Sequence, residues 1–268
     1  MRKYILPIFL CGSFFCILLL PSCKDDTYLT FAPPIEDHSS FTETFDTTNA
    51  ALARGWRFFN KSVPLGSSVW QDGGDSTAFF TAYKNNGINA GFIGTDKLST
   101  SAGKGIISQW LVSPLVFMQN GDKIVFYTRA LKLPGYIHDN AIDTTDFGNR
   151  LQLFVNTQND SAALVGEGES TGSFTEVTIP AIDINPNYYE WHDEPGSYPI
   201  DGGPTSTNVT IAQAYPTEWT RFEGKITGLV KPINGRFAFR YFIKDGGSDG
   251  RGSGIGIDEV TYTSISKK

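Results

Sequence analysis

Past residue 40 the apolar residues fall in short runs broken by Gly, Asn, Asp and Pro, and no helix-length amphipathic stretch with convincing caps occurs. Phe41-Thr42-Glu43-Thr44-Phe45 carries the apolar–polar alternation of a half-buried strand. Further runs at 78–83, 106–112, 123–131, 151–156, 174–179, 220–226, 236–243 and 255–263 read as strands, and 50–54 as one helical turn. Strands without alternating helices predict an all-β fold, a sandwich of two antiparallel sheets of the jelly-roll type, rather than a parallel sheet. Two connections, 132–149 and 180–218, are long; structureless loops of that size are usually functional or disordered. No internal repeat and no second hydrophobic core is visible, so residues 39–268 read as one domain.

Composition agrees. Phe 20, Tyr 11, Trp 5 and Gly 28 against Met 2 favour strands and turns.

The first residues follow a different logic. Arg2 and Lys3 precede an apolar stretch running to Leu20, interrupted by Pro7, Cys11, Gly12 and Ser13. A basic start followed by a short apolar core is a secretory signal. The uninterrupted part, Phe14 to Leu20, is too short to cross about 30 Å of hydrocarbon. Leu20-Pro21-Ser22-Cys23 resembles a lipobox, the site at which bacterial lipoproteins are cleaved and acylated, with Pro21 departing from the usual residue. The resemblance implies that residues 1–22 are removed and that Cys23 carries the lipid. Lys24-Asp25-Asp26 is similar to the signal that sends lipoproteins of the Bacteroidetes group to the outer face of the outer membrane. Residues 23–38, with Pro33-Pro34, then read as an acidic tether. Cys11 and Cys16 leave with the signal, so Cys23 alone remains and no intramolecular disulfide forms. Loss of Arg2 and Lys3 takes the net charge from −6 to −8. Such a chain lacks the basic surface that nucleic-acid binding needs.

A wider resemblance spans residues 39–263. Phe41-Thr42-Glu43-Thr44-Phe45-Asp46, Gly55-Trp56 and Trp70 resemble the opening of choice-of-anchor J and cleaved-adhesin domains. Trp110-Leu111-Val112-Ser113-Pro114, followed by Ile124-Val125-Phe126-Tyr127, resembles their central strands. Gly235-Arg236-Phe237-Ala238-Phe239-Arg240-Tyr241 and Gly256-Ile257-Asp258-Glu259-Val260 resemble the closing ones. The resemblance implies a MAM-like jelly roll of the galactose-binding or concanavalin-like kind, serving as a surface adhesive or binding module, with first and last strands side by side. It also implies a structural calcium ion held by Glu43, Asp46 and Asp258. Independently, an acid inside an apolar strand, as Asp258 is, is costly to bury unless paired or metal-bound. The alternative is that Glu43 and Asp258 point to solvent. Asn60-Lys61-Ser62-Val63 lacks the aspartates of a second adhesin calcium loop, and Asp245-Gly246-Gly247-Ser248-Asp249-Gly250 reads as a glycine-rich hairpin turn.

Signals of catalysis are weak. His38, His138 and His192 have no companion motif of a serine–histidine–acid hydrolase, and no glycine loop opens a helix to cradle phosphate. Glu190-Trp191-His192-Asp193-Glu194 is the only dense polar cluster, with no second histidine at ligand spacing. Tyr188, Tyr189, Trp191 and Tyr198 gather in the longest loop, where rings either stack on sugars and anchor proteins or fold back over the sandwich. The expectation is a non-catalytic module that binds glycan or host or matrix protein, lipid-anchored in the outer membrane and exposed on the cell surface. A glycan-processing enzyme or accessory protein of a polysaccharide-uptake system on the same fold is the alternative, and a structural component of the surface layer is the blander one.

Overall fold

The computed structural model describes residues 40–74, 80–84, 91–131, 137–138, 141–142, 148–158, 161–176, 183–184 and 215–265. In chain order its strands are β1 (Phe41–Glu43), β2 (Arg57–Asn60), β3 (Gln71–Gly74), β4 (Gly91–Asp96), β5 (Gly105–Val112), β6 (Val116–Met118), β7 (Lys123–Ala130) and β8 (Ile137–His138). They continue with β9 (Ala141–Ile142), β10 (Leu151–Asn156), β11 (Thr175–Glu176), β12 (Asp183–Ile184), β13 (Thr220–Lys225), β14 (Ile233–Gly246) and β15 (Gly254–Thr263). One short helix, α1 (Thr48–Ala53), and a 3-10 turn at Lys97–Ser99 complete the described elements.

Two antiparallel sheets face each other, as the alternation predicts. The first runs β13-β7-β15-β4-β3, with β1 also paired to β15; the second runs β11-β10-β14-β5-β2, with β12 on β10 and β6 on β14. Strand β7 shows why: every second side chain, Ile124, Phe126, Thr128 and Ala130, is buried. The opening and closing strands do lie side by side, with Phe41 opposite Tyr262 and Glu43 opposite Val260. One edge of β15 is shared between two partners. Gly254 to Ile257 pair with β4, Val260 to Tyr262 pair with β1, and the ladder to β7 is irregular between Asp258 and Thr261. Glu259 sits in this changeover with a left-handed φ of 50°. An extra residue at such a point re-aims the side chains around it.

The space between the sheets is filled by Trp56, Trp70, Ile93, Leu111, Phe126, Leu153, Phe237, Phe239, Ile255, Ile257 and Tyr262, all buried. A second, smaller cluster, absent from the sequence reading, lies apart from it: Trp110, Val112, Phe154, Val165, Phe174 and Ala238. Here the loop 161–176 covers the outer face of the second sheet, which explains why five of the six residues of β10 are buried rather than every other one. The indole N–H of Trp110 donates to Gly166 O at 3.1 Å, tying that loop down.

Three expectations change. The strand expected at 78–83 is not a strand over its described part, because Phe80 to Lys84 cross the face of the first sheet. The Asp245–Gly250 turn is no hairpin: it carries the chain from β14 in the second sheet to β15 in the first. Strands β2, β3, β4 and β6 were not expected, and β3 and β4 are short runs diluted with glycine.

Candidate functional site

Glu43 and Asp258, brought to neighbouring strands, meet different partners. Glu43 is 2% exposed in β1. Its Oε2 accepts from Arg54 Nε at 2.8 Å, and its Oε1 accepts from Arg54 Nη2 and from the backbone N–H of Phe45 at 2.9 Å. Local structure delivers the arginine. Thr47 caps α1 by accepting the N–H of Ala50 at 3.1 Å, and Arg54 ends the helix. Phe45, with a left-handed φ of 48°, ends the strand and turns the chain toward that helix. The guanidinium is held above its ordinary pKa by its hydrogen bond to Glu43, against the opposing effect of burial. The pair borders a cavity of about 290 Å³ that Phe41, Trp56, Pro114 and Leu115 also line.

Asp258 is equally buried, at 2% exposure, but answers to backbone rather than to a cation. Its carboxylate accepts the N–H of Tyr83 at 3.0 Å and of Glu259 at 2.7 Å. Burial pushes its pKa up to about 7, against the backbone N–H groups that favour the charged form. Next to it Glu259 bonds Lys84 Nζ at 2.8 Å. Two consecutive acids of the strand changeover therefore fasten the segment 80–84 to the sheet.

A calcium ion needs about six to eight oxygen ligands. Glu43, Asp46 and Asp258 as arranged do not fit one. Both oxygens of Glu43 are engaged by a guanidinium, Asp46 is exposed, and among the described residues no three His, Cys, Asp or Glu side chains group as metal ligands. The burial cost of Glu43, which the resemblance makes a metal ligand, is offset by an arginine. Asn60, in the loop that lacked adhesin aspartates, uses its amide to donate to Ser68 O and Ser99 O at 2.9 and 2.8 Å.

What the fastened segment builds is an aromatic shelf on the outer face of the first sheet. Phe92 of β4 lies across glycine: a Cβ on Gly73 would come within 2.2 Å of its ring, and one on Gly256 within 2.7 Å. Phe80 stacks on Phe92 at 4.7 Å and 6°. Trp219 stands edge-on to both at 5.4 Å, its indole N–H donating to Thr81 O at 2.9 Å. Tyr83, 37% exposed, stacks on Tyr127 of β7 at 3.8 Å and 19°. Arg129, two residues along β7 and opposite Gly256, lays its guanidinium 4.5 Å from the centre of the Phe80 ring. Rings held face to face and edge to face in this way are fixed against the sheet.

Nothing in the sequence reading singled out Phe80, Tyr83, Phe92, Tyr127, Arg129 or Trp219 as a group. The available signal is Gly254-Ile255-Gly256-Ile257, in which the isoleucines face the core and the glycines leave the other face bare for a flat covering. The loop rings Tyr188, Tyr189, Trp191 and Tyr198, the Glu190–Glu194 cluster and the lipid-carrying Cys23 lie outside the described residues.

No family model and no curated protein matches the chain. Solved structures do resemble it. The K1 cleaved adhesin domain of Lys-gingipain from Porphyromonas gingivalis W83 is 14% identical, covers 85% of this chain and 99% of its own, and gives a TM-score of 0.41. A family 11 carbohydrate-binding module from Clostridium thermocellum, solved with a β-1,3-1,4-mixed-linked tetrasaccharide, is 9% identical over 88% of this chain and 93% of its own, with a TM-score of 0.35. A cyclase from Fischerella sp. TAU is 12% identical over 85% and 100%, with a TM-score of 0.37.

Proposed function

We propose that this chain is a non-catalytic module of the choice-of-anchor J and cleaved-adhesin kind that binds glycan or a host or matrix protein. It is tethered to the outer membrane by a lipid on Cys23 and faces the outside of the cell. The observation that carries the reading is the aromatic shelf. Tyr83 and Trp219 keep part of their surface open while Asp258, Glu259 and Thr81 hold them in place. Natural binding surfaces place rigid rings beside a few oriented polar groups in this manner. Asp258 and Glu259 beneath the shelf are already committed to holding backbone and lysine.

The test is a glycan and matrix-protein array probed with the mature chain, run in parallel with Tyr83→Ala and Trp219→Ala. Saturable signal that falls in both variants while melting stays cooperative supports the reading. Signal unchanged by both substitutions removes the shelf from it, and product released from a polysaccharide would replace it with an enzyme. The anchor is tested by Cys23→Ala, which should move the protein from the membrane fraction to the soluble one.

A further inference from the structure

Arg129 stands out within the shelf. It is only 13% exposed, yet its one carboxylate partner among the described residues is Glu218, at 3.5 Å and 74% exposed. Its Nε is buried and, among the described residues, has no hydrogen-bond partner. Desolvation lowers its pKa and the Glu218 charge only partly restores it. A guanidinium presents a planar fork of donors suited to two carboxylate oxygens at once. Here the fork is pre-set by the Phe80 ring beneath it and is met by a single distant, solvent-swept oxygen. Glu218 reaches Arg129 from the solvent side with one oxygen only, so a carboxylate that engages the fork with both oxygens displaces it.

On the reading of the shelf as a binding surface, we infer that its ligand is an acidic glycan, a sugar polymer bearing carboxylates. One carboxylate takes the place of Glu218 on Arg129 while a sugar ring stacks against Trp219 or Tyr83. A glycan fits better than an acidic peptide. Acidic peptides are captured by clusters of arginines or by strand addition; here Arg129 is the one guanidinium laid on the Phe80 ring, and the neighbouring edge strand β13 alternates Arg221, Glu223 and Lys225 along its rim, a pattern that discourages added strands. The charge on this face is nearly balanced: Lys123 and Arg221 both pair with Glu223, at 2.7 Å each, and Lys84 pairs with Glu259. Recognition is then a single directed contact, with shallow salt dependence, and not a broad basic field.

The experiment titrates the full mature chain in detergent with polygalacturonate, alginate and hyaluronan, each beside its carboxyl-reduced counterpart. At least one acidic polymer should bind about tenfold or more tightly than its reduced form, as expected for a charge-assisted contact. Arg129→Gln should erase that difference. Glu218→Gln, at an exposed position that leaves the fold alone, should tighten acidic binding up to about fivefold. Reduced polymers binding as well as acidic ones, an unchanged affinity in Glu218→Gln, no acidic polymer bound, or equal binding of polyglutamate would each overturn the inference. Binding of neutral glycan that is lost in Tyr83→Ala would overturn it too, yet leave the shelf as a binding surface. Silence of the whole glycan and protein array would remove both.

Discussion

The carboxylate of Asp258 accepts the backbone N–H of Tyr83, 175 residues earlier in the chain. A strand that closes the sandwich thus positions a ring on its outer face, and the bond that does so is made by a group whose charged form is disfavoured by burial.

That has a consequence for pH. The folded pKa of about 7 stands above an unfolded value near 4. Between the two the folded state holds a proton that the unfolded state has released, so this group's contribution improves as pH falls from 8 toward 4 and is least favourable above 7. Glu223 moves the opposite way, lowered mainly by its hydrogen bond to Lys123, but its effect falls below about pH 5 and so outside the range from pH 8 to pH 5. The melting temperature of the wild type should rise between pH 8 and pH 5 more steeply than that of Asp258→Asn. Parallel profiles would show that Asp258 does not titrate there.

The Glu43–Arg54 pair predicts an asymmetry. Removing the arginine strands a buried carboxylate, whereas removing the carboxylate leaves a guanidinium that is 46% exposed and able to reach water. Arg54→Ala should therefore cost about 2–3 kcal/mol and Glu43→Gln about 1–2 kcal/mol, the Gln still accepting the N–H of Phe45. Denaturant midpoints measure both. An equal or reversed order contradicts the picture of a buried acid held by a part-exposed base.

A chelator supplies an independent check. With Arg54 on Glu43, the wild-type melting temperature should be the same with and without it. A drop of several degrees that vanishes in Asp258→Asn would restore calcium to these acids.

Gly256→Ala tests the seat of the shelf. Its Cβ would meet Phe92 at 2.7 Å and Phe80 at 2.9 Å, so both rings must lift. Overpacking of this size costs about 1–3 kcal/mol, and ligand binding should fall with it. A variant that binds and melts like wild type would show the rings to be loosely held.

How far the chain could be read in advance depends on what alternation reports. Strands β7, β10, β13 and β15 fall within a residue or so of the runs at 123–131, 151–156, 220–226 and 255–263, because each turns one apolar face inward. Gln71–Gly74 and Gly91–Asp96 escaped, since glycine carries no side chain to mark a face and serves there to admit Phe92. Asp258 is legible as costly to bury and Glu43 only through the resemblance; their partners are not legible, since alternation says which side a residue faces and nothing about what covers it. Phe80, Tyr127, Arg129 and Trp219 are scattered through the chain and converge only once the sheet is ordered.

β1 is three residues long, yet among the described residues it is the sole partner of Val260 to Tyr262 along that edge of β15, helped by Thr42 and Thr261, whose hydroxyls meet at 2.9 Å. Where a protease cuts therefore decides the fate of the head. A cut ahead of Ser40 leaves the pairing of β1 with β15 whole. A cut just beyond Glu43 frees the short strand to leave and uncovers three residues of unpaired ladder, an edge open to a strand from another chain.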